Sequence, residues 1–299
     1  MWFRSLRIYR IVADWKQDAE KLNEMLAQHP LTPCGSLAMQ SVGWMAPKRG
    51  AFVHAVNKQW LLALGVEKRL LPASVVRQFT EERVEQIEAE QDRKVGRKEL
   101  RDLRDNITLE LLPRAFTHRR ITNAWIDPVN GWLVLDAGSD AKAEEFTEAL
   151  LKAVGDVHVR LLQTKFSPST AMTGWLESGE APPGFTVDDD LELRAMASDK
   201  SAIRYVHHAL EGEEIQRHIA NGKVATRLAM TWNDRISFIL DDKLQVKRLS
   251  FLDIIKDSAE QSPKDADEQF DLDFVLMTGE LDKLFNDLLA ALGGEVETV

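Results

Sequence analysis

A strand, a tight turn, a second strand and a helix follow one another early in this chain. Apolar runs at residues 52–56 and 60–66 flank Asn57-Lys58, and a helical pattern begins after Pro72. Asparagine tolerates the positive φ angles that two-residue hairpin turns need. The pattern therefore predicts an antiparallel hairpin followed by a helix.

The same order occurs again about seventy residues later. Apolar runs at 124–127 and 132–136 flank Asn130-Gly131, and a helical pattern covers 141–154. A repeated supersecondary unit restricts the fold strongly, because each copy must bury one face of its hairpin. We therefore expect an α+β fold with repeated strand-hairpin-helix units.

The remaining apolar patterns predict further elements on both sides of these units. Strands are predicted at 2–12, 191–205, 224–232, 235–240 and 272–277, and helices at 18–27, 213–220 and 280–292. An acidic loop is predicted at 257–269.

Residues 74–112 form a long polar stretch with helical periodicity. Two apolar stripes in it are out of phase across Gly96, so either two helices meet there or one helix bends. The stripes are Val84, Ile87 and Val95, then Leu100, Leu103 and Ile107. With few apolar positions, this stretch is expected to project from the core.

A proline- and glycine-rich segment at 163–187 is the best candidate for a domain boundary. We accordingly predict three parts. They are a central α+β domain (1–73 and 121–165), a projecting helical segment (74–120) and a C-terminal α+β domain (166–299).

Composition excludes several classes of protein. The single cysteine, Cys34, rules out an intrachain disulfide and a paired-cysteine metal site. No run of 18 apolar residues is present, and the first residues lack the pattern of a secretory signal, so we expect a cytoplasmic protein without membrane contact. Glycine-rich loops for ATP or dinucleotides are absent, and no cofactor is expected.

Paired aspartates leave one enzymatic alternative open, a metal-dependent nuclease, since dispersed carboxylates can hold Mg²⁺. The candidates are Asp188-Asp189-Asp190, Asp241-Asp242, and Asp271 with Asp273. Aspartate also favours turns and helix starts, and no lysine stands beside these in a nuclease-like spacing. We therefore predict no catalytic and no metal-binding residue.

The net charge of −10 hides a local basic stretch. Residues 253–299 hold thirteen acidic residues and three lysines, so the rest of the chain is neutral, and residues 93–120 hold nine basic and four acidic residues. On a helix, Arg93, Arg97, Arg101 and Arg104 share one face, with Lys94 and Lys98 on its flank. Such a row suits a phosphate backbone. The alternative is a solvated face with Lys98–Asp102 and Arg101–Asp105 pairs.

A second basic cluster follows Pro113. Arg114, His118, Arg119 and Arg120 have no acidic residue among them, which indicates unpaired positive charge. A weaker third set is Lys223, Arg227 and Arg235, with Lys243, Lys247 and Arg248 further on.

These clusters favour sequence-independent binding to the backbone of duplex DNA, because aromatic residues for base stacking are nearly absent from them. The residues predicted to bind DNA are Arg93, Lys94, Arg97, Lys98, Arg101, Arg114, Arg119, Arg120, Lys223 and Arg227. Another possibility stays open, a protein-interaction scaffold whose acidic C-terminal third binds a basic partner.

Six short motifs are spread along the whole chain. They are Met1-Trp2-Phe3-Arg4-Ser5-Leu6, Thr32-Pro33-Cys34-Gly35-Ser36, Leu111-Leu112-Pro113-Arg114-Ala115-Phe116, Trp125-Ile126-Asp127, Gly222-Lys223-Val224 and Phe274-Val275-Leu276-Met277-Thr278-Gly279-Glu280-Leu281. Together they resemble the RdgC family of recombination-associated nucleoid proteins, and they occur in the family's order, which makes the resemblance specific.

The resemblance implies a ring-shaped homodimer around duplex DNA, with single-stranded DNA as a further ligand and no catalysis. It also implies antagonism of the strand-exchange recombinase in recombination and replication-fork repair. By position, Phe116 falls at the gate contact between subunits, although a core aromatic is the alternative. His207-His208 stands at the opposing loop, where the family often has Lys or Asn followed by Gln, so histidine protonation near about pH 6 is a hypothesis for ring control.

Overall fold

The computed structural model describes residues 2–12, 18–196, 201–210, 212–253 and 265–296. The chain folds into one mixed α+β structure, which confirms the predicted class. Its strands are β1 (Leu6–Ile11), β2 (Gln40–Met45), β3 (Val53–Val56), β4 (Gln59–Arg69), β5 (Thr117–Asp127), β6 (Trp132–Asp136), β7 (Val159–Leu161), β8 (Phe185–Ala195), β9 (Ala202–Tyr205), β10 (Lys223–Trp232), β11 (Ile236–Asp241) and β12 (Val246–Phe251).

Seven α-helices lie within the described ranges. They are α1 (Ala19–Ala27), α2 (Ala73–Gln91), α3 (Arg97–Leu111), α4 (Asp140–Val154), α5 (Pro168–Ser178), α6 (Glu213–Ala220) and α7 (Ala266–Ala291), and a 3₁₀ turn covers Leu112–Arg114. None of these helices is both long and apolar enough to span a bilayer.

The strands form one antiparallel sheet with the order β2-β4-β5-β6-β1-β12-β11-β10-β8-β9. β3 also pairs with β4, and β7 also pairs with β1. The N-terminal half (β1–β7) meets the C-terminal half (β8–β12) at a narrow junction. There Leu6 pairs with Val246, and the Leu249 amide donates to the Arg4 carbonyl at 2.9 Å.

The predicted repeat is present as β3–β4–α2 and β5–β6–α4. At the first turn, Asn57 and Lys58 have φ angles of 49° and 65°, as a two-residue hairpin turn of the primed type requires. Asn233 and Asp234, between β10 and β11, have φ angles of 47° and 53°. These short polar dipeptides predicted their hairpins correctly because the turn geometry is local.

Two hydrophobic cores lie on opposite faces of the sheet. On one face of the N-terminal half, α1 and α4 bury Leu22 and Phe146 against strand residues such as Leu64. On the other face, α7 packs Phe285 against Trp125 and also contributes to the core of the C-terminal half with α5 and α6. The last helix therefore fills a core that both halves share.

The strand predicted at 272–277 is wrong, since these residues belong to α7. Phe274, Met277, Leu281 and Phe285 are at most 1% exposed and recur at the three- and four-residue spacing of one helix face. A short apolar run fits a buried strand and a buried helix equally well, and only its continuation to Phe285 decides.

The Asp265 carboxylate caps the helix by accepting from the Asp267 and Glu268 amides. The predicted acidic loop thus overlaps the helix start, and its residues 257–264 lie outside the described ranges.

One further expectation needs correction. The single strand predicted at 191–205 is a hairpin of β8 and β9, in which Leu191 pairs with Tyr205. The proline-rich segment at 163–187 contains α5, where Pro168 occupies the first turn and Ser167 accepts from the Thr170 amide. Proline there begins a helix, a position where its missing amide costs nothing. The predicted domain limits stay a prediction.

The polar stretch after β4 consists of two helices. This confirms the first of the two predicted alternatives, in which two helices meet near Gly96. α2 ends at Gln91, Asp92 adopts a left-handed conformation with φ 50°, and α3 begins after Gly96. α2 and α3 pack on each other, with Val76 and Ile107 among their few buried residues. This helical hairpin places the predicted basic row at the surface.

Candidate nucleic-acid interface

The basic row lies on α3. Arg97, Arg101 and Arg104 are exposed and share one face of the helix, with Lys98 beside them. Within the described part of the chain, none of these four side chains forms an ion pair, so the Lys98–Asp102 and Arg101–Asp105 pairs of the alternative interpretation are not made. The row therefore presents its full positive charge to solvent.

Arg93 does not share that helix face and Lys94 does not flank it, contrary to the prediction, because both lie in the connection between α2 and α3. The Arg93 guanidinium donates to both oxygens of Glu99 at 2.7 Å, and Lys94 Nζ lies 2.7 Å from Glu88 Oε2. These hydrogen bonds raise the pKa of Arg93 and of Lys94. Both cations are already partly neutralised and hold the bend between the helices.

The second cluster was predicted to be unpaired, but two of its arginines form ion pairs. Arg119 on β5 lies 2.8 Å from Glu67 on the neighbouring strand β4, and Arg120 lies 2.5 Å from Glu145 on α4. Sheet register brings Glu67 directly opposite Arg119, across a separation that local sequence does not reveal. A hydrogen bond from the Cys34 amide and another from Arg119 hold the pKa of Glu67 below its ordinary value.

Arg114 ends the 3₁₀ turn and is exposed. It forms no ion pair with any residue that the structure describes. Of the second cluster's arginines, Arg114 is therefore the one that keeps the predicted free charge.

Phe116, the predicted gate residue, is 84% exposed. The alternative that it is a core aromatic is therefore wrong. Its carbonyl accepts from the Leu70 amide at 2.7 Å, and the Leu70 side chain is 54% exposed as well. Two large apolar side chains thus lie together at the surface, where a partner molecule could cover them.

His207 and His208 lie in an exposed loop that follows β9. His207 has φ 51°, and its amide donates to Asp190 Oδ1 at 3.0 Å. His208 packs its ring against Tyr205 with centroids 5.3 Å apart, and its Nδ1 lies 2.9 Å from the Ala209 carbonyl oxygen. Beside them, Val206 is 57% exposed. The backbone of this loop is thus fixed while its side chains stay accessible.

The third basic set is divided between two faces. Arg227 on β10 and Lys247 on β12 lie on the sheet face opposite α5, α6 and α7, whereas Arg235 pairs with Glu280 of α7 at 2.7 Å. Lys223 begins β10, is partly exposed, and makes no ion pair within the described ranges.

Arg194 on β8 and Arg204 on β9 were not among the predicted residues. They lie on the same sheet face as Arg227 and approach the same carboxylate, Glu192. Alternation of charged with apolar residues along 191–194 was the available signal.

Several of the aspartates considered for a nuclease have side-chain partners that the structure describes. Asp190 lies 3.0 Å from Arg248, Asp241 lies 2.8 Å from Lys247, and Asp271 lies 2.8 Å from Lys48. Asp188 accepts a 2.8 Å hydrogen bond from Thr231, and burial raises the pKa of its carboxyl. Among the residues that the structure describes, no three His, Cys, Asp or Glu side chains converge as metal ligands would.

Comparison with known proteins gives consistent matches over the whole chain. Residues 1–295 match the family model described as "Putative exonuclease, RdgC". The chain is similar to the "Recombination-associated protein RdgC" of Dechloromonas aromatica (strain RCB), with 51% identity over 300 residues and 99% of each chain covered. It is 51% identical over 298 residues to the protein of that name from Janthinobacterium sp. (strain Marseille), again with 99% of each chain covered. With that of Burkholderia ambifaria (strain MC40-6) it shares 48% identity over 296 residues, covering 99% of this chain and 97% of the relative.

Proposed function

The chain belongs to the RdgC family of recombination-associated proteins, and from that premise we propose that it binds duplex DNA without sequence preference and without cutting it. By occupying DNA, it limits recombinase-driven strand exchange in recombination and replication-fork repair. This role places it in the cytoplasm, on the nucleoid.

The observation that carries the proposal is the exposed row of α3. Arg97, Arg101 and Arg104 rise about 10 Å along the helix, and one DNA strand presents a phosphate about every 3.4 Å of axis. A row of this length matches about three phosphates. Free guanidinium groups suit them because each can donate two parallel hydrogen bonds to phosphate oxygens.

The test is the salt dependence of duplex binding, measured by fluorescence anisotropy. Replacing Arg97 and Arg101 by Ala should weaken binding to unrelated duplexes alike, and should flatten the slope of log K against log salt by about 0.9 per lost phosphate contact. The control is the double variant Arg77→Ala and Arg83→Ala, which removes the same charge from α2, where these arginines face Glu81 and Glu110. An unchanged slope in the α3 variant, or equal effects in both variants, would count against the row.

We place this DNA inside a ring-shaped homodimer whose gate includes Phe116, His207 and His208. The exposed Phe116 and Leu70 on one side and the exposed Val206 on the other support two surfaces for self-association. Phe116→Ser should speed release from closed circular DNA, while light scattering still finds a dimer held by the second contact. Val129→Ser, which changes another exposed apolar residue (67%), is the control and should release DNA at the wild-type rate.

The His207-His208 hypothesis is tested separately. If protonation of this loop controls the ring, DNA affinity between about pH 5.5 and 8 should change in the wild type and stay flat after both histidines are replaced by Gln.

A metal-dependent nuclease remains the second candidate, because the family description names an exonuclease. Incubation of end-labelled linear duplex with Mg²⁺ or Mn²⁺ decides between them, since shortening of the strands would overturn the non-catalytic proposal. The protein contacts of Asp190, Asp241 and Asp271 favour structural roles for these carboxylates. A gel shift at two salt concentrations separates both from a protein-interaction scaffold, which would not retard DNA.

A further inference from the structure

One face of the C-terminal half of the sheet has no helix over it within the described ranges. β8, β10 and β12 turn Leu193, Leu228 and Val246 into the core formed with α5, α6 and α7. Alternate residues face the other way, and among them Arg194 and Lys247 stay partly or fully exposed. This face, called here the open face, is the surface of β8–β12 opposite α5–α7.

Glu192 lies at the centre of the open face and is 2% exposed. Its Oε1 accepts from Arg194 Nε at 2.8 Å, and its Oε2 accepts from Arg204 Nε and Nη2 at 2.9 and 2.6 Å. Thr226 Oγ1 donates to Oε1 at 3.2 Å, and Arg227 Nη1 lies 3.6 Å from Oε2. One buried carboxylate therefore holds three arginines that come from three adjacent strands.

The three arginines remain accessible above this anchor. Their side chains are 52% (Arg194), 63% (Arg204) and 42% (Arg227) exposed. A guanidinium has five N–H groups, and Glu192 uses one from Arg194 and two from Arg204. Arg227 hydrogen-bonds none of its five to a described residue. The three arginines and the one carboxylate therefore carry a net positive charge, and within the described ranges several N–H groups of the arginines remain free to donate hydrogen bonds.

The open face carries two hollows that share Arg227. One of about 340 Å³ is also lined by Arg194 and Asp242 and by two ion pairs, Lys243 with Asp140 and Lys247 with Asp241. A smaller hollow of about 80 Å³ is also lined by Arg204 and by the ion pair of Arg248 with Asp190. From β9 to β12 the sheet order crosses four strand spacings, about 19 Å in all. That width exceeds a single small anion and suits several phosphates of a polymer.

We infer that the open face is a second contact surface for the phosphate backbone of duplex DNA, with Arg194, Arg204 and Arg227 as its donors and Glu192 as a positioning residue. The inference rests on the proposed DNA binding and adds a surface to it. Arginines fixed on rigid strands lose less side-chain freedom when they bind, so the anchor lowers the cost of contact. Burial raises the pKa of Glu192, but hydrogen bonds from Arg204 and Arg194 and the charge of Arg227 outweigh it and leave that pKa below its ordinary value. Glu192 thus stays charged at neutral pH.

The test uses a variant for which a positioning role and a purely electrostatic role predict opposite changes in DNA affinity. Glu192→Gln makes the surface more positive, so arginines that act only through their charge would bind DNA more tightly in this variant. If Glu192 positions them, the variant should bind about tenfold more weakly at about 0.1 M salt, the effect of losing one charge-assisted hydrogen bond. Asp242→Asn is the matched control: it changes the charge by the same amount at an exposed aspartate that makes no ion pair within the described ranges, and it should bind at least as tightly as the wild type.

A second variant covers the case in which Glu192→Gln does not fold. Arg204→Lys keeps the charge at a 63% exposed position but loses the forked guanidinium, and it should also weaken binding. Wild-type affinity in Arg204→Lys, or tighter binding by folded Glu192→Gln, would overturn the inference. If the open-face variants bind normally while the Arg97 and Arg101 variant shows a flatter salt slope, the inference fails and the proposed function stands. If the wild type shows no salt-dependent binding at all, both fail.

Discussion

Gly43 on β2 lies against the backbone of the chain that precedes it. A Cβ atom built on Gly43 would lie 2.5 Å from backbone atoms of Pro30 and Leu31. These atoms are held in place, because the Leu31 amide donates to the Trp44 carbonyl at 2.9 Å. Gly43→Ala should therefore destabilise the protein by about 1–3 kcal/mol, as overpacking in a core does.

Urea unfolding measures this cost, with Gly174→Ala as the control. Gly174 lies within α5 and has no neighbour within 4 Å of a built Cβ. Alanine there should stabilise the protein by up to about 1 kcal/mol, because it favours the helix. A Gly43→Ala protein as stable as the wild type would contradict the close approach.

Glu280 on α7 makes stability depend on pH. Burial raises the pKa of Glu280, but hydrogen bonds from Arg235 and Lys283 outweigh it and leave that pKa below its ordinary value. A carboxyl with a lowered folded-state pKa stabilises the fold above the unfolded-state value of about 4.3, and this contribution is lost as pH falls through the folded-state pKa. In Glu280→Gln, the free energy of unfolding should therefore fall less between about pH 6 and 3 than in the wild type.

Urea titrations at a series of pH values test this difference. Arg235→Ala leaves Glu280 buried with Lys283 alone and should cost about 1–3 kcal/mol at neutral pH. Parallel pH curves for Glu280→Gln and the wild type would show that this carboxyl does not contribute.

Among the elements, those with local signals were predictable. Two-residue turns such as Asn57-Lys58 fix a hairpin through their own backbone angles. α1 begins where Asp18 caps it, by accepting from the Lys21 amide. The predicted helix at 213–220 coincides with α6.

Elements defined by distant partners were not predictable. β2 and β7 contain few alternating residues and become strands because they pair with β4 and β1, respectively. The apolar residues 272–277 near the start of α7 predict a strand when they are considered alone, and a helix only when the residues that follow them are included. In the candidate interface, the row on α3 was visible for the same local reason. The pairing of Arg119 with Glu67, and the gathering of Arg194, Arg204 and Arg227 around Glu192, depend on sheet register.

The packing of α7 predicts a large effect for one leucine. Leu281 is fully buried in the core shared by both halves of the sheet, so Leu281→Ala should cost about 2–5 kcal/mol. Leu109→Ala on α3, where the leucine is 50% exposed, should change stability by no more than about 0.5 kcal/mol. Chemical denaturation followed by tryptophan fluorescence reports on both, since Trp125 and Trp132 pack against Phe285 of α7. Equal costs would mean that α7 does not fill that core.

At the scale of the whole molecule, the two halves of the sheet depend on a narrow junction. Asp140 at the start of α4 joins them, because its carboxylate accepts from Lys243 Nζ at 3.0 Å, from Gln245 Nε2 at 2.7 Å and from the buried Arg7. The hydrogen bond from Lys243 is the main cause that holds the pKa of Asp140 below its ordinary value. The junction therefore depends on a charged hub as much as on strand pairing.

Removing this hub should loosen the junction first. In Asp140→Ala, the Leu249 amide, which donates across the junction to Arg4, should exchange with deuterium faster, while amides between β4 and β5 keep their protection. Asp102→Ala on the exposed face of α3 is the control and should leave both sets unchanged. A uniform increase over the sheet would instead indicate global destabilisation.

The position of α7 also determines when folding can finish during synthesis. The ribosome makes this helix after the other described helices and strands, yet Trp125, Trp132 and Leu61 in the first half of the chain need it to cover them. Until α7 emerges, the growing chain exposes the sheet face that these side chains occupy, a state that is prone to aggregation and to chaperone capture. β1, made before the other described elements, must likewise wait for β12, so the contacts that close this fold are among the most distant in the described sequence. A ribosome stalled shortly before residue 266 should therefore carry a chain with native hairpins in which the core that α7 shares with both halves is incomplete.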